Sequence, residues 1–242
     1  TVASAIAPSI TYNGAEVPKL PRPRKLIEGV EPDPSVETVM DGAAVMREFE
    51  PDWIVAMGGG SPIDAAKAMW IFYEYPDFTF EQAVVPFGLP ELRQKAKFVA
   101  IPSTSGTATE VTAFSVITDH SRDYKLTVFS YELLPAYAIL DADLITTAPA
   151  SVAAACGIDA FIHAEEAYIS TAASPFSDAM AEKAMELIGE NIRRFVANRT
   201  DVEAAEAMMV GSLFAGIAFS FARLGNVHAM SCLLYTSDAA DD

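Results

Sequence analysis

The stretch WIVAMGGGSPIDAAKAMW, residues 53–70, decides the fold of this chain. WIVAM is a short, continuous apolar run, as in a strand buried on both faces. GGGSP follows it, and IDAAKAMW continues as a helix that Ser61 can cap, with Pro62 in its first turn. Glycines at a strand end allow close backbone approach, and a helix N-terminus just beyond offers free N–H groups, so the turn predicts a pyrophosphate cradle. The alternative is an ordinary tight strand–helix turn, since the sequence matches neither the GxGxxG nor the Walker pattern.

A second apolar run, KFVAIP at residues 97–102, ends in STSGTATEVT. Ser103, Thr104 and Thr107 crowd around Gly106, where open α/β sheets bind ligands at the carboxyl ends of their strands. The alternative is a turn that is merely rich in serine and threonine. Further short strands are predicted in FSVITD, KLTVF and YAILDADL, so strands alternate with helices and indicate a parallel or mixed α/β sheet.

The flanking regions differ in character. Residues 1–29 contain VPKLPRPRKL and predict a linker or extended arm. Ser35 is placed to cap a helix in which Val36, Val39, Ala43 and Met46 recur near helical spacing. After Pro149 every pattern is helical, which predicts an α/β domain over residues 30–149 and a helical domain over residues 150–231.

The helical part contains GIDAFIHAEEAYIS, in which Asp159 and His163 are four residues apart. A helix places both side chains on one face, as half of a divalent metal site or as a simple intrahelical pair. His228, in GNVHAM, is a candidate third ligand, whereas His120, in DHSRD, is expected in a solvated turn. Asp plus two His is an incomplete ligand set for Fe(II) or Zn(II).

Composition narrows the class of protein. The 242 residues are 51% hydrophobic and carry a formal charge of −17, which argues against nucleic acids and anionic membranes as partners. Two cysteines form no disulfide framework, so a reducing cytoplasm is expected. The N-terminus lacks signal-peptide features. The apolar run at 207–222 predicts a buried core helix rather than a membrane span.

Taken in order, GGGSPIDAAKAMWIFYEYP, STSGTATEVT, DADL, GIDAFIHAEEAYIS and GNVHAMS resemble the iron-containing (group III) alcohol dehydrogenases over roughly residues 30–231. The resemblance is closest to the alcohol dehydrogenase half of the bifunctional aldehyde–alcohol dehydrogenases. It implies a dehydroquinate-synthase-like fold, with a Rossmann-like α/β domain that binds NAD or NADP and an all-α domain that carries Fe(II), or alternatively Zn(II).

The resemblance also implies roles for individual residues. Three of the family's four metal ligands match Asp159, His163 and His228, and no other catalytic residue is implied. The implied chemistry is reversible hydride transfer between a primary alcohol and the nicotinamide, in a protein that forms homo-oligomers when full length. The cofactor positions match Asp33, Gly59, Gly60, Ser61, Asp64, Ser103, Thr104, Thr107 and Lys125.

Two departures qualify the resemblance. Residues 1–29 do not reproduce the family's first strand, glycine turn and helix, so the choice between NAD and NADP stays open. Cys232 stands where the family has a second histidine, and CLLYTSDAADD resembles a translated sequencing adapter. We therefore expect residues 232–242 to be foreign, the natural gene to continue, and the fold to be incomplete at both ends with impaired activity. The alternatives are a polyol dehydrogenase or a dehydroquinate-synthase-like enzyme of the same fold, or a non-catalytic oligomeric module.

Overall fold

A computed structural model describes residues 11–12, 15–16 and 23–234, with side chains for residues 23–231. The first two segments form a small antiparallel pair, β1 (Thr11–Tyr12) and β2 (Ala15–Glu16). The predicted arm covers residues 1–29. Residues 1–10, 13–14 and 17–22 of that arm, and residues 235–242 of the predicted tail, lie outside the described residues. Residues 23–34 contain neither helix nor strand.

The α/β part is built around a short parallel sheet in the order β3-β4-β7. β3 pairs with β4 from Trp53 opposite Lys97 to Gly58 opposite Pro102, so the two polar loops leave the sheet side by side. β5 and β6 are strands as predicted, but they form a separate antiparallel hairpin. The elements are α1 (Val36–Phe49), β3 (Trp53–Gly58), α2 (Gly60–Glu74), α3 (Phe80–Ala83), β4 (Lys97–Pro102), β5 (Phe114–Asp119), β6 (Tyr124–Phe129) and β7 (Tyr137–Ala138).

Two strand predictions need correction. YAILDADL supplies only the two residues of β7, because the Asp141 carboxylate accepts the Asp143 N–H and begins a 3-10 turn instead. β3 is buried on one face rather than both. Ile54 and Ala56 are buried, while Met57 is 37% exposed and borders a cavity beside residues 26–30.

The core of the α/β part lies between α1, α2 and the sheet. Ser35 caps α1 as predicted, since its Oγ accepts the Thr38 N–H at 3.1 Å. Gly42 of α1 lets the two helices approach closely, because a Cβ there would lie 2.4 Å from Met69 Sδ. α2 is thereby held rigidly beneath the loop that begins it.

The helical part comprises α4 (Ala150–Tyr168), α5 (Pro175–Ala197), α6 (Val202–Ala222) and α7 (Asn226–Leu234). Its core also takes in Ala108 and Ile145 from the preceding part of the chain. α6 is long and apolar enough for a membrane span by length and composition, but 56% of that window is buried inside the molecule. That burial agrees with the predicted core helix, since a buried core helix can meet the same criteria of length and composition.

Candidate active site

The glycine turn after β3 leads directly into α2. Gly58 has φ of 152°, and a Cβ there would lie 2.7 Å from Pro62 Cγ, so only glycine fits. The helix begins at Gly60 with Gly59 as N-cap and no side-chain cap. The prediction that Ser61 caps α2 is therefore wrong, because the glycines let the helix start earlier. Ser61 Oγ instead accepts the Asp33 N–H at 3.2 Å.

The two polar loops touch one another. A Cβ on Gly60 would lie 2.8 Å from Thr107 Cγ2, and one on Gly59 would lie 3.4 Å from Thr104 Cγ2. Ser103 N–H donates to the carbonyl of the residue before Gly59 at 2.7 Å. This contact follows from the parallel register of β3 and β4, which brings their carboxyl ends to one edge.

Asp64 and Lys67 clamp α2 to the segment after the second loop. The Asp64 carboxylate accepts hydrogen bonds from Thr109 Oγ1 at 2.5 Å and from Val116 N–H at 3.0 Å. Lys67 is fully buried, and its ammonium donates to the carbonyl oxygens of residues 112 and 114 at 2.8 and 2.9 Å. Burial raises the pKa of Asp64 and lowers that of Lys67 to about 8. Both carboxylate oxygens of Asp64 are thus engaged within the protein while the residue borders the crevice.

Asp33 and Lys125 meet across the mouth of the crevice. Lys125 Nζ donates to Asp33 Oδ1 at 3.0 Å, although the two residues are 92 positions apart. Asp33 adopts φ of 53°, a left-handed conformation that Asp tolerates better than most residues. The pair links the segment before α1 to β6, and the Asp33 N–H also donates to Ser61.

The three predicted metal ligands converge. His228 Nε2 lies 3.3 Å and His163 Nε2 lies 3.8 Å from the same oxygen, Asp159 Oδ1. One ligand atom from each residue fits within 4.8 Å of the others. The imidazole rings stack with centroids 4.3 Å apart, and Phe219 packs on His163 at 4.6 Å.

The protonation preferences of this cluster differ from residue to residue. Burial lowers the pKa of His163 to about 4, against the attraction of Asp159. Burial also opposes the charged form of His228, but hydrogen bonds to Asp159 and Glu166 outweigh it and raise the pKa of His228. Burial would raise the pKa of Asp159, but its hydrogen bond with His228 and the charge of His163 lower it. His163 therefore remains neutral at pH 7, the form that ligates metals.

Glu166 is a site residue that the sequence reasoning missed. Its Oε2 lies 2.5 Å from His228 Nδ1, and its Oε1 accepts the Val227 N–H at 2.7 Å. The residue is 4% exposed. A signal was present in the sequence, because Glu166 lies three positions after His163 and seven after Asp159 on one helical face.

A single crevice of about 430 Å³ joins most of the predicted residues. Three of them lie beside it rather than in its wall. Gly59 and Thr104 pack against each other, and Ser103 faces the cavity next to Met57. His120 is exposed in the β5–β6 turn, as predicted. The predicted residues in the wall are Asp33, Gly60, Ser61, Asp64, Thr107, Lys125, Asp159, His163 and His228.

The donor set fits a divalent transition metal. A carboxylate and two imidazoles suit Fe(II) or Zn(II). His163 Nδ1 is buried without a hydrogen-bond partner among the described residues. His163 Nε2 and His228 Nε2 both face Asp159, which is the arrangement a shared ion requires.

Comparisons with known proteins agree with this geometry. The family model "Iron-containing alcohol dehydrogenase" matches residues 22–142, and "Fe-containing alcohol dehydrogenase family, C-terminal" matches residues 153–236. An NADPH-dependent butanol dehydrogenase of Clostridium saccharobutylicum is 58% identical over 86% of this chain and 53% of its own length. An aldehyde-alcohol dehydrogenase of Streptococcus pneumoniae is 45% identical over 86% of this chain and 24% of its own length.

The crystal structure of a 1,3-propanediol oxidoreductase superposes with a TM-score of 0.83 at 40% identity, covering 88% of this chain and 55% of that one. The chain thus spans about half the length of the butanol dehydrogenase and of this oxidoreductase, and about a quarter of the aldehyde-alcohol dehydrogenase. The predicted two-domain fold is confirmed by the structural match and the two family models. The chain belongs to the iron-containing alcohol dehydrogenase family.

Proposed function

We propose that this chain forms the cofactor crevice and metal centre of an NAD(P)- and metal-dependent oxidoreductase that interconverts primary alcohols and aldehydes. The observation that supports this most directly is the shared crevice, which has the N-terminus of α2 in one wall and the Asp159, His163 and His228 cluster in another. A nicotinamide and a metal held in one crevice can address the same substrate carbon and oxygen.

The cofactor is proposed to lie over the two polar loops. The first N–H groups of α2 have no side-chain cap, and the positive end of the helix dipole favours a phosphate. Thr107, Asp33 and Lys125 line the same crevice, and Asp33 contacts Ser61 at this helix end. Bound there, the nicotinamide supplies or accepts the hydride. The clamp formed by Asp64 and Lys67 keeps the two loops in register for that binding.

The metal is proposed to be Fe(II), or alternatively Zn(II), held by Asp159, His163 and His228. When bound, such an ion acts as a Lewis acid that lowers the pKa of an alcohol and polarises an aldehyde oxygen. The chain itself orients the ligands. The rings of Phe219 and His228 both pack against the buried His163, so packing fixes its imidazole plane and keeps water away.

An alkyl alcohol is the proposed substrate class. Phe114, Phe219 and Leu224 line the crevice beside the metal cluster and offer an apolar wall for a short chain. The names of the butanol dehydrogenase and the 1,3-propanediol oxidoreductase support small primary alcohols. Assembly into a homo-oligomer and a cytoplasmic location are proposed with this function and remain predictions.

Binding experiments on this chain test the proposal. Metal-free chain is titrated with Fe(II) under anaerobic conditions and with Zn(II), and NADPH and NADH binding is followed by nucleotide fluorescence. Activity is then measured with two substrates. Butanal is tested by the oxidation of each reduced cofactor, and 1,3-propanediol by the reduction of each oxidised cofactor. We expect stoichiometric metal binding and a signal that depends on the metal.

Asp159→Asn and His163→Ala should abolish metal binding and leave cofactor binding intact. The matched control is His120→Ala, which removes an exposed histidine that does not line the crevice. Metal binding that is unaffected in both site variants would refute the proposed centre. Absence of both metal and cofactor binding would instead favour a non-catalytic module.

A further inference from the structure

Glu166 makes two separate contacts between the helices that carry the proposed metal ligands. It projects from α4, the helix that carries Asp159 and His163, and reaches the first turn of α7, which carries His228. Each of its two carboxylate oxygens makes a different contact with α7. Oε1 accepts the Val227 N–H at 2.7 Å, and Oε2 lies 2.5 Å from His228 Nδ1.

The first contact fixes the position of α7. Val227 is the second residue of a helix that begins at Asn226, so its N–H belongs to the unpaired donors of the first helical turn. A carboxylate at this position satisfies such a donor and interacts favourably with the helix dipole. Glu166 therefore caps α7 from a different helix and sets the distance between α4 and α7.

The second contact fixes the orientation of the His228 ring. A carboxylate accepts hydrogen bonds and donates none, so Nδ1 of His228 carries the proton in this pair. Nε2 then lies toward Asp159 Oδ1, 3.3 Å away, on the side where His163 Nε2 also lies. A histidine whose other ring nitrogen donates to a carboxylate is the usual arrangement of a metal-bound imidazole.

The Gly225 backbone packs closely against the Glu166 carboxylate. A Cβ on Gly225 would stand 2.9 Å from Glu166 Oε1 and 3.2 Å from its carboxyl carbon. Any residue other than glycine at position 225 would therefore displace the Glu166 carboxylate. The chain combines a glycine, a buried glutamate and a histidine in one packed unit.

We propose that Glu166 is a positioning residue of the metal centre. It holds His228 in the Nδ1–H tautomer, with Nε2 directed at the ion. This inference rests on the proposed metal function. It assigns Glu166 no contact with metal or substrate. Its effect is on how strongly the three ligands hold the ion, and that affinity can be measured without turnover.

Glu166→Gln separates the two contacts. Gln retains an oxygen for the Val227 N–H, but its amide group then presents donors to His228 Nδ1. That reversal favours the Nε2–H tautomer, whose proton occupies the ligand position. We expect the dissociation constant for Zn(II) or Co(II), measured by competition with a chelator, to rise roughly 10- to 100-fold. Helical circular dichroism should be unchanged.

Glu165→Gln is the matched control, because it removes the same charge from the neighbouring, exposed position of α4. Its metal affinity should equal that of the wild type. Gly225→Ala is a second, independent variant that displaces the carboxylate without removing it, and it should weaken metal binding in the same direction. If Glu166→Gln loses its helical signal, the Gly225→Ala result decides the matter.

The outcomes distinguish this inference from the function on which it rests. If the wild-type chain binds no metal, the proposed function fails and this inference fails with it. If the wild type binds metal and Asp159→Asn abolishes binding, while Glu166→Gln and Gly225→Ala bind as the wild type does, only the role of Glu166 is overturned. Weaker binding in both variants, with Glu165→Gln unaffected, supports it.

Discussion

Replacing Lys67 with methionine tests the clamp beneath the cofactor loops. Met has a similar length and is apolar, so Lys67→Met removes the charge and two hydrogen bonds while filling most of the space. The carbonyls of Thr112 and Phe114 lose their donor, and the buried carboxylates of Asp64 and Glu110 lose a nearby cation. Leaving a buried acceptor without its donor costs about 1–3 kcal/mol, so the loss of two donor contacts predicts a drop of roughly 2–6 kcal/mol in the free energy of unfolding.

Urea denaturation at pH 8 measures the effect of Lys67→Met. Lys183→Met is the control, since the pair that Lys183 makes with Glu186 on α5 is exposed, and its loss should change stability by less than about 0.5 kcal/mol. The deficit of Lys67→Met should shrink at pH 5. Without the lysine the pKa values of Asp64 and Glu110, already raised by burial, rise further, and the neutral acids are cheaper to bury. A deficit under about 1 kcal/mol at pH 8 would refute the reasoning.

Three further predictions concern separate contacts. Gly60→Ala places a Cβ 2.8 Å from Thr107 Cγ2, so it should raise the Kd for NADPH in fluorescence titrations, and adding Thr107→Ser should restore part of the affinity. Hydrogen bonds from the start of α1 lower the pKa of Glu31 to about 2 from 4.5, so its stabilising share is present above pH 4.5 and lost toward pH 2. Glu31→Gln should therefore flatten the acid arm of thermal melts between those values, and an unchanged arm would contradict this. Trp70→Phe removes a buried indole that donates to Glu74 at 2.8 Å, and we expect about 2 kcal/mol of destabilisation by urea denaturation.

The sequence predicts well those features that depend on neighbours along the chain. The apolar run before GGGSP, the cap at Ser35 and the four-residue spacing of Asp159 and His163 each specify local backbone geometry. The parallel direction of β3 and β4 agrees with the predicted parallel or mixed sheet, because strands that alternate with helices favour that pairing. His228 is a candidate ligand by residue type alone and Lys125 is assigned only by the resemblance to a family, since no spacing within the chain connects them to the other site residues.

Only the tertiary structure decides which distant side chains share a contact. Asp33 and Lys125 are 92 residues apart, Glu166 and His228 are 62 apart, and periodicity carries no information at those separations. The start of α2 also differs from the prediction, since the helix begins at Gly60 and not after Ser61. The conformational freedom of the glycines outweighs the serine's capping preference. Local sequence therefore determines the elements and their candidate ligands. Packing between α4 and α7 determines which carboxylate orients which histidine, since that pairing depends on how closely two separate helices approach.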